Sequence, residues 1–292
     1  MRSGPAMLGS ALAALCLAAC GSNAAHVSHH RGGATVVLPT KAPPQPPARP
    51  KPRHRQQKQP AAPPQARAEL ITHGPRSGHD VALTFDADMT QAMLAGVRAG
   101  RKSIGYDPRI VSELRAAHTH ATIFMTGLWP TAHPDAAREL AADPLFEIEN
   151  HSYDHAGWEP PCYGLPLVRG DGAKRSEVQR TASVLSDLLG APPRYFRFPG
   201  GCHTGADVKL VAAAGETPVQ WDVVSGDPGQ PSASVVANNV LRGAHPGSII
   251  VMHLVGAPNA PATAAALQTI LPGLKQRGLH PVTLEKLLGS GG

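Results

Sequence analysis

Val81-Ala82-Leu83-Thr84-Phe85-Asp86-Ala87-Asp88 is a short apolar run that stops abruptly at two carboxylates. A run of this length, built from Val, Leu, Thr and Phe, reads as a strand buried on both faces. The same design returns along the chain. Ala121 to Met125, Phe146 to Glu149, Tyr195 to Phe198, Pro218 to Val224, Ser248 to Met252 and His280 to Thr283 all read as strands. Between them lie helical candidates at Pro108 to Ala117, Asp135 to Ala142, Lys174 to Leu189, Ala206 to Ala214, Ser232 to Arg242 and Ala262 to Arg277, several opened by Asp, Ser or Pro. Strand and helix in alternation predict an α/β domain over residues 69–292, with about seven parallel strands in a barrel or a doubly wound sheet.

Ionisable side chains fall where these strands run out. Asp86 and Asp88 follow the first, His151 the third, Arg197 closes the fourth, Asp227 follows the fifth and His253 the sixth. The carboxyl ends of parallel strands form the face on which active sites are built. Each residue alone reads equally well as a turn or cap residue; together they predict a site. Within Asn150-His151-Ser152-Tyr153-Asp154-His155, two imidazoles stand four residues apart. On a helical turn they would share one face, and neutral imidazole suits zinc. With fifteen His in the chain, that spacing alone is weak. The expectation therefore rests on whether the chain supplies a third ligand.

The runs Leu83-Thr84-Phe85-Asp86, His151-Ser152-Tyr153-Asp154-His155, Arg194 to Gly200, Trp221 to Asp227 and Ile250-Val251-Met252-His253 follow one another in the order of the polysaccharide deacetylase family. This is the NodB homology domain, or carbohydrate esterase family four, and the resemblance covers about Asp80 to Leu288. It implies a distorted (β/α) barrel and a divalent metal, zinc above all, used to remove acetyl groups from amino sugars. It implies Asp86 as general base, Arg197 orienting it, a backbone N–H near Gly200 in the oxyanion hole, His253 as general acid and Asp227 holding that His charged. Metal ligation would fall to Asp88, His151 and His155, with water in place of Asp88 as the alternative and Asp154 as a weaker one, since it would project to another side of a helical turn. The family pattern has two adjacent Asp, whereas Asp86-Ala87-Asp88 inserts a residue between them. Gly200 and Pro228 stand where aromatic residues are usual, which widens the expected groove. Among the aromatic residues, Trp129, Trp158, Tyr163 and Trp221 are candidates for stacking on sugar rings. Trp158 is the expected platform and Trp221, inside a predicted strand, is expected in the core.

All 21 acidic residues lie from Glu69 onward, so the first 68 residues carry +9 and the rest, with 18 basic against 21 acidic, carries −3. The basic character belongs to the tail, which argues against nucleic acid as a partner. Residues 1–19 have the form of a secretory signal, an apolar stretch after Arg2 that is too short to span a bilayer. Leu17-Ala18-Ala19-Cys20-Gly21 resembles a lipobox, which implies lipidation at Cys20 and a membrane anchor on the outer face of the cell; a plain signal peptide is the alternative. Residues 20–68 form an expected disordered linker, with ten Pro and seven Lys or Arg between residues 39 and 67. An exported chain permits a disulfide between Cys162 and Cys202, with free thiols as the alternative. The expected whole is a monomeric deacetylase acting on an acetylated amino-sugar polymer such as peptidoglycan. A glycan-binding scaffold on the same fold is the competing expectation. Metal storage by His26, His29 and His30 is a third.

Overall fold

The computed structural model describes residues 66–101 and 104–289, all within one compact unit, Ala61–Gly292. The signal, Cys20 and nearly all of the linker lie outside the described residues. In chain order the elements are β1 (Asp80–Ala87), α1 (Gln91–Arg98), α2 (Pro108–Ala116), β2 (Ala121–Met125), α3 (Trp129–Ala132), α4 (Pro134–Ala142), β3 (Phe146–Asn150) and α5 (Asp171–Leu189). Then follow β4 (Tyr195–Phe196), a 3-10 turn (Pro199–Gly201), α6 (Gly205–Ala213), β5 (Thr217–Pro218), β6 (Val223–Val224), α7 (Ala233–Gly243), β7 (Ile249–His253), α8 (Thr263–Gln276), β8 (His280–Val282) and α9 (Leu284–Gly289). Every strand pairing is parallel. The order across the sheet is β5-β4-β3-β2-β1-β7-β6, with β8 paired to the start of β1.

β1 sits at the centre because it can. After Asp80 every one of its residues is buried, as a strand covered on both faces requires. Its odd-numbered side chains, Val81, Leu83, Phe85 and Ala87, join the main core with Ile123, Met125, Ile250 and Met252 from its neighbours and Leu267 and Ile270 from α8.

The predicted strand from Pro218 to Val224 is corrected. It is two dipeptide strands, β5 and β6, that lie at opposite ends of the seven-strand path. From Pro218 to Val223 an extended chain reaches at most about 18 Å, whereas seven strands laid flat would put the outer two about 29 Å apart. Residues 219–222 can join the two edges only if the sheet curls, and the result is a half-barrel. Val219 and Gln220 are held by the N-terminal segment across this seam: Ile71 N donates to Pro218 O (3.0 Å) and Gln220 N to Ile71 O (2.8 Å). Pro218 to Val224 fails as one strand because apolar composition cannot distinguish a strand from a buried crossing between two of them.

Trp158 and Trp129 are corrected from sugar platforms to core. Trp158 is 2 % exposed and packs its ring on Phe196 (5.3 Å between centroids) and edge-on to Phe198 (5.1 Å). Trp129 is fully buried, its Nε1 donating to Gly105 O at 2.8 Å. No helix among the described residues is long and apolar enough to cross a membrane.

Candidate metal centre and active site

Asp86 is near the end of β1 and Asp88 is just beyond it. Side chains two apart on extended backbone point the same way, so Ala87 turns into the core while both carboxylates reach one cavity. The residue between them therefore does not separate the two Asp; it puts them on a common face. Asp88 Oδ1 lies 3.4 Å from His151 Nε2 and 3.3 Å from His155 Nε2. One ligand atom from each of the three residues falls within 4.8 Å of the others, and among the described residues no other group of His, Cys, Asp and Glu does so.

His151 and His155 do not converge by a helical turn. Residues 151–156 form an irregular loop in which Ser152 and His155 have φ of 65° and 61°. Left-handed backbone at non-glycine residues is costly and persists only where neighbours enforce it. Here Glu177 of α5 does so. Its Oε2 accepts from Tyr153 N (2.8 Å), Ser152 Oγ (3.2 Å) and Asp154 N (3.3 Å), and Asn150 Oδ1 accepts from Ser152 N (2.9 Å). Asn150 is itself fixed by donating to Val178 O (3.0 Å) and Glu216 Oε1 (2.9 Å). Burial, with Asp154 adding to it, pushes the Glu177 carboxyl above the usual range, against the pull of its N–H donors. Asp154 belongs to this brace and not to the ligand group. Glu177→Ala is expected to leave the fold intact and weaken metal binding about 10–100-fold, the range for loss of a group that orients a ligand. Metal titration of parent and variant checks this; equal affinities would discard the brace.

A metal fits these residues by their hydrogen bonding. His151 Nδ1 lies 3.0 Å from Arg197 O. A carbonyl only accepts, so Nδ1 carries the proton and Nε2 presents a lone pair. That Nε2 is buried without a hydrogen-bond partner, and so is Asp88 Oδ1, a costly state for two polar atoms aimed at one point. Burial lowers the His155 pKa despite nearby Asp88, which favours the neutral, ligating imidazole. Burial opposes ionisation of Asp88, but the imidazoles around it, His155 first, outweigh it when they carry protons and hold the carboxyl well below the usual range. Two imidazoles and one carboxylate are a donor set that suits zinc.

Arg197 follows β4 and is fully buried. Its Nη1 donates to Asp86 Oδ1 and to Thr84 Oγ1, both at 2.8 Å, and its Nη2 to Gln220 O at 3.3 Å. Its plane lies over the Phe124 ring, 3.9 Å from guanidinium carbon to centroid. The hold on Asp86 is thus a single charge-assisted bond and not a bidentate clamp. Asp86 Oδ2 remains, 3.6 Å from His151 Nε2.

His253 ends β7, in register with Asp86 across the β1–β7 pair. Asp227 Oδ1 accepts from His253 Nδ1 (2.8 Å) and Ser225 Oγ (2.9 Å), and Oδ2 from His253 N (2.8 Å) and Thr263 Oγ1 (2.7 Å). Burial disfavours charge on His253, but Asp227 overrides it and the pKa is raised to about 10. With Nδ1 committed to Asp227, Nε2 is the nitrogen left for the cavity that His253 lines. Thr263 and Ser225 had no motif or strand-end position to reveal them.

These groups meet at a cavity of about 680 Å³, within the size range of small-molecule sites. Gly200 (φ 60°) and Tyr163 also line it. So does Trp221, half-buried, which packs on the inner cluster of Ala82, Phe124 and Val219 as expected but also reaches the cavity wall. The structure joins Cys162 to Cys202 by a disulfide.

A parallel α/β half-barrel that gathers two His, a carboxylate, an Asp–Arg pair and an Asp–His pair at its strand ends defines a metallohydrolase-like class of site. The family model for polysaccharide deacetylase matches residues 73–219, and the chain belongs to that family. A peptidoglycan-N-acetylglucosamine deacetylase of Bacillus cereus is 28% identical over 214 residues, 73% of this chain and 70% of that one. A chitooligosaccharide deacetylase of Azorhizobium caulinodans is 28% identical over 184 residues, 59% of this chain and 82% of that one. Among solved structures, a peptidoglycan N-acetylglucosamine deacetylase in complex with a benzamide compound superposes with a TM-score of 0.62 at 28% identity, covering 75% of this chain and 92% of the other.

Proposed function

We propose that this chain is a metal-dependent deacetylase that removes N-acetyl groups from an amino-sugar polymer, with peptidoglycan as the substrate. The observation that carries this reading is the convergence of Asp88, His151 and His155 beside two separately held acid–base groups. In it, Asp88, His151 and His155 hold a zinc ion. When bound, the ion polarises an acetyl carbonyl and acidifies water. Asp86, its Oδ1 held by Arg197, takes the proton from the attacking water through its other oxygen. The backbone at Gly200 offers an N–H to the oxygen that gains negative charge. His253, kept protonated by Asp227, delivers a proton to the departing amine from Nε2. The names of similar proteins in Bacillus cereus and Azorhizobium caulinodans support an amino-sugar substrate.

Zinc-loaded chain incubated with chito-oligomers and with peptidoglycan is expected to release acetate from at least one of them. Stoichiometric metal with no acetate from either would sink the reading. The Leu17 to Gly21 run supports a further part of it, a lipid anchor at Cys20 on the outer face of the membrane, with the chain acting as a monomer. Cys20→Ser is expected to move the protein from the membrane fraction to the soluble fraction of an expressing cell, and unchanged fractionation rejects the anchor.

A further inference from the structure

The turn that carries the Gly200 N–H is built from two consecutive glycines. Gly200 and Gly201 both have left-handed φ, 60° and 73°, and neither has a side chain with which to grip the rest of the fold. The N–H bonds of the turn stay within it: Gly201 N donates to Phe198 O (2.9 Å) and Cys202 N to Pro199 O (3.2 Å). The Gly200 N–H has no acceptor among the described residues, and Gly200 lines the cavity. A free donor of this kind serves a reaction only if it is held where negative charge develops.

A covalent tie reaches the turn from the cavity side. Cys202, the residue after it, is bonded to Cys162. A Cβ at Gly200 would meet Cys162 Sγ at 3.2 Å and Cys202 Sγ at 3.4 Å, so both sulfurs pack on this glycine. Cys162 in turn sits on fixed backbone. Gly157, two residues after His155, gives it room, since a Cβ there would meet Cys162 Sγ at 2.7 Å. Gly157 N donates to Pro166 O (2.8 Å) and Gly157 O accepts from Val168 N (3.0 Å), which closes residues 157–168 into a strap. Inside it Leu165 N donates to Cys162 O (2.8 Å), around Tyr163 with its φ of 48°. The strap thus leaves the loop that carries His151 and His155 and is bonded through sulfur to the glycine turn. The His loop itself is braced from elsewhere, by Glu177 and Asn150.

We propose that the Cys162–Cys202 bridge is a positioning element of the reaction: it holds the Gly200 N–H at a fixed reach from the ligand group, so that turnover depends on the bridge while metal binding does not. This rests on the deacetylase reading for the role of the Gly200 N–H. The bridge is open to chemistry at one end. Cys162 is 4 % exposed, whereas Cys202 helps to wall an adjoining depression with Glu159, Pro161 and His203. A water-soluble phosphine therefore attacks Cys202 Sγ and expels Cys162 as a thiolate. Water then converts the phosphorus to phosphine oxide, releases Cys202 as a thiol and supplies the proton for Cys162. Phosphorus loses the two electrons that the S–S bond gains.

The test compares zinc-loaded, full-length chain before and after phosphine treatment with a chain carrying both Cys162→Ser and Cys202→Ser. Reduction and the double substitution are each expected to lower kcat at least about tenfold, part of the roughly 10²–10³ that outright loss of an oxyanion donor costs. KM should change less than about threefold, since a contact made only in the transition state leaves substrate binding alone. Zinc content should hold, phosphine should do nothing further to the double-Ser chain, and reoxidation should restore the parent. Amide exchange read by NMR should quicken at Gly201 and Cys202 on reduction but not at Tyr153, whose N–H is held by Glu177. An active parent that keeps its kcat when reduced overturns the assignment, as does zinc lost in step with activity or exchange at Gly201 and Cys202 that reduction leaves unchanged. If exchange responds as expected but the oxidised parent releases no acetate, the deacetylase reading falls and the bridge stands as what holds the turn.

Discussion

His151→Ala is expected to abolish stoichiometric metal binding and to lower acetate release by more than a hundredfold. The argument is one of donor count. Asp88, His151 and His155 are the three residues that the structure brings within reach of one ion, and a catalytic zinc site needs three protein ligands to keep its fourth position open for chemistry. Loss of a group that merely orients a ligand costs about 10–100-fold, so loss of a ligand costs more. The imidazole is also buried, and its Nδ1 is committed to Arg197 O. Alanine leaves a void, and the nearest remaining oxygen, Asp86 Oδ2, lies 3.6 Å from the lost Nε2 on a carboxylate already held by Arg197. Metal content after dialysis, measured beside acetate release, reads both effects. His155→Ala should behave alike, whereas Asp154→Ala should keep its metal because Asp154 lies outside the ligand group. Full metal occupancy in His151→Ala would falsify the ligand set.

Asp227→Asn is expected to lower kcat by about 10²–10⁴, the usual contribution of a positioned general acid, and to move the alkaline limb of the pH profile to lower pH. Asp227 is what lifts His253 to about 10 against its burial. An amide in its place keeps a hydrogen bond but removes the charge, so burial then pulls the imidazole down. The same change has a stability signature whose sign is fixed. The folded pKa of His253 lies above its unfolded value of 6.5, so the pair stabilises the fold fully below pH 6.5. This contribution fades as pH rises through about 10. Asp227 is itself held below its ordinary 3.8 and loses its share in acid, so the stability gap between parent and Asp227→Asn should be widest between pH 3.8 and 6.5 and narrow toward pH 10. A gap that widens as pH rises above 6.5 in chemical denaturation would reject the pairing.

Most of the architecture was legible because it was written in periods. β2 is the predicted Ala121 to Met125, β3 runs one residue longer at its end, and β7 is shifted by one residue at both ends. The short helix α1 escaped notice, although Thr90 caps it through Met93 N. The strand ends also announced the site, since Asp86, Asp88, His151, Asp227 and His253 all meet at one face. What escaped was anything carried by tertiary override of local pattern. His151 and His155 have helical spacing, yet two left-handed residues and a carboxylate from α5 bring them together by another route. Trp158 is core and Trp221 reaches the cavity wall because loop position and strand position are poor guides to burial. The aromatic cluster of Phe196 and Phe198, far from Trp158 in sequence, decides the matter.

The seam at residues 219–222 ties assembly to competence. Gln220 supplies the carbonyl that receives Arg197 Nη2, and Trp221 forms part of the cavity wall. Both come from the crossing that obliges the sheet to curl. An intermediate with β1, β2, β3, β4 and β7 paired but β5 and β6 still apart would keep Arg197 O on His151, yet its guanidinium would lack this carbonyl and its groove this wall. Such a species would gather Asp88, His151 and His155 before the guanidinium on Asp86 is fully held. Acquisition of tight metal binding during refolding and acquisition of turnover should then separate in time, with turnover appearing only once the rim has closed.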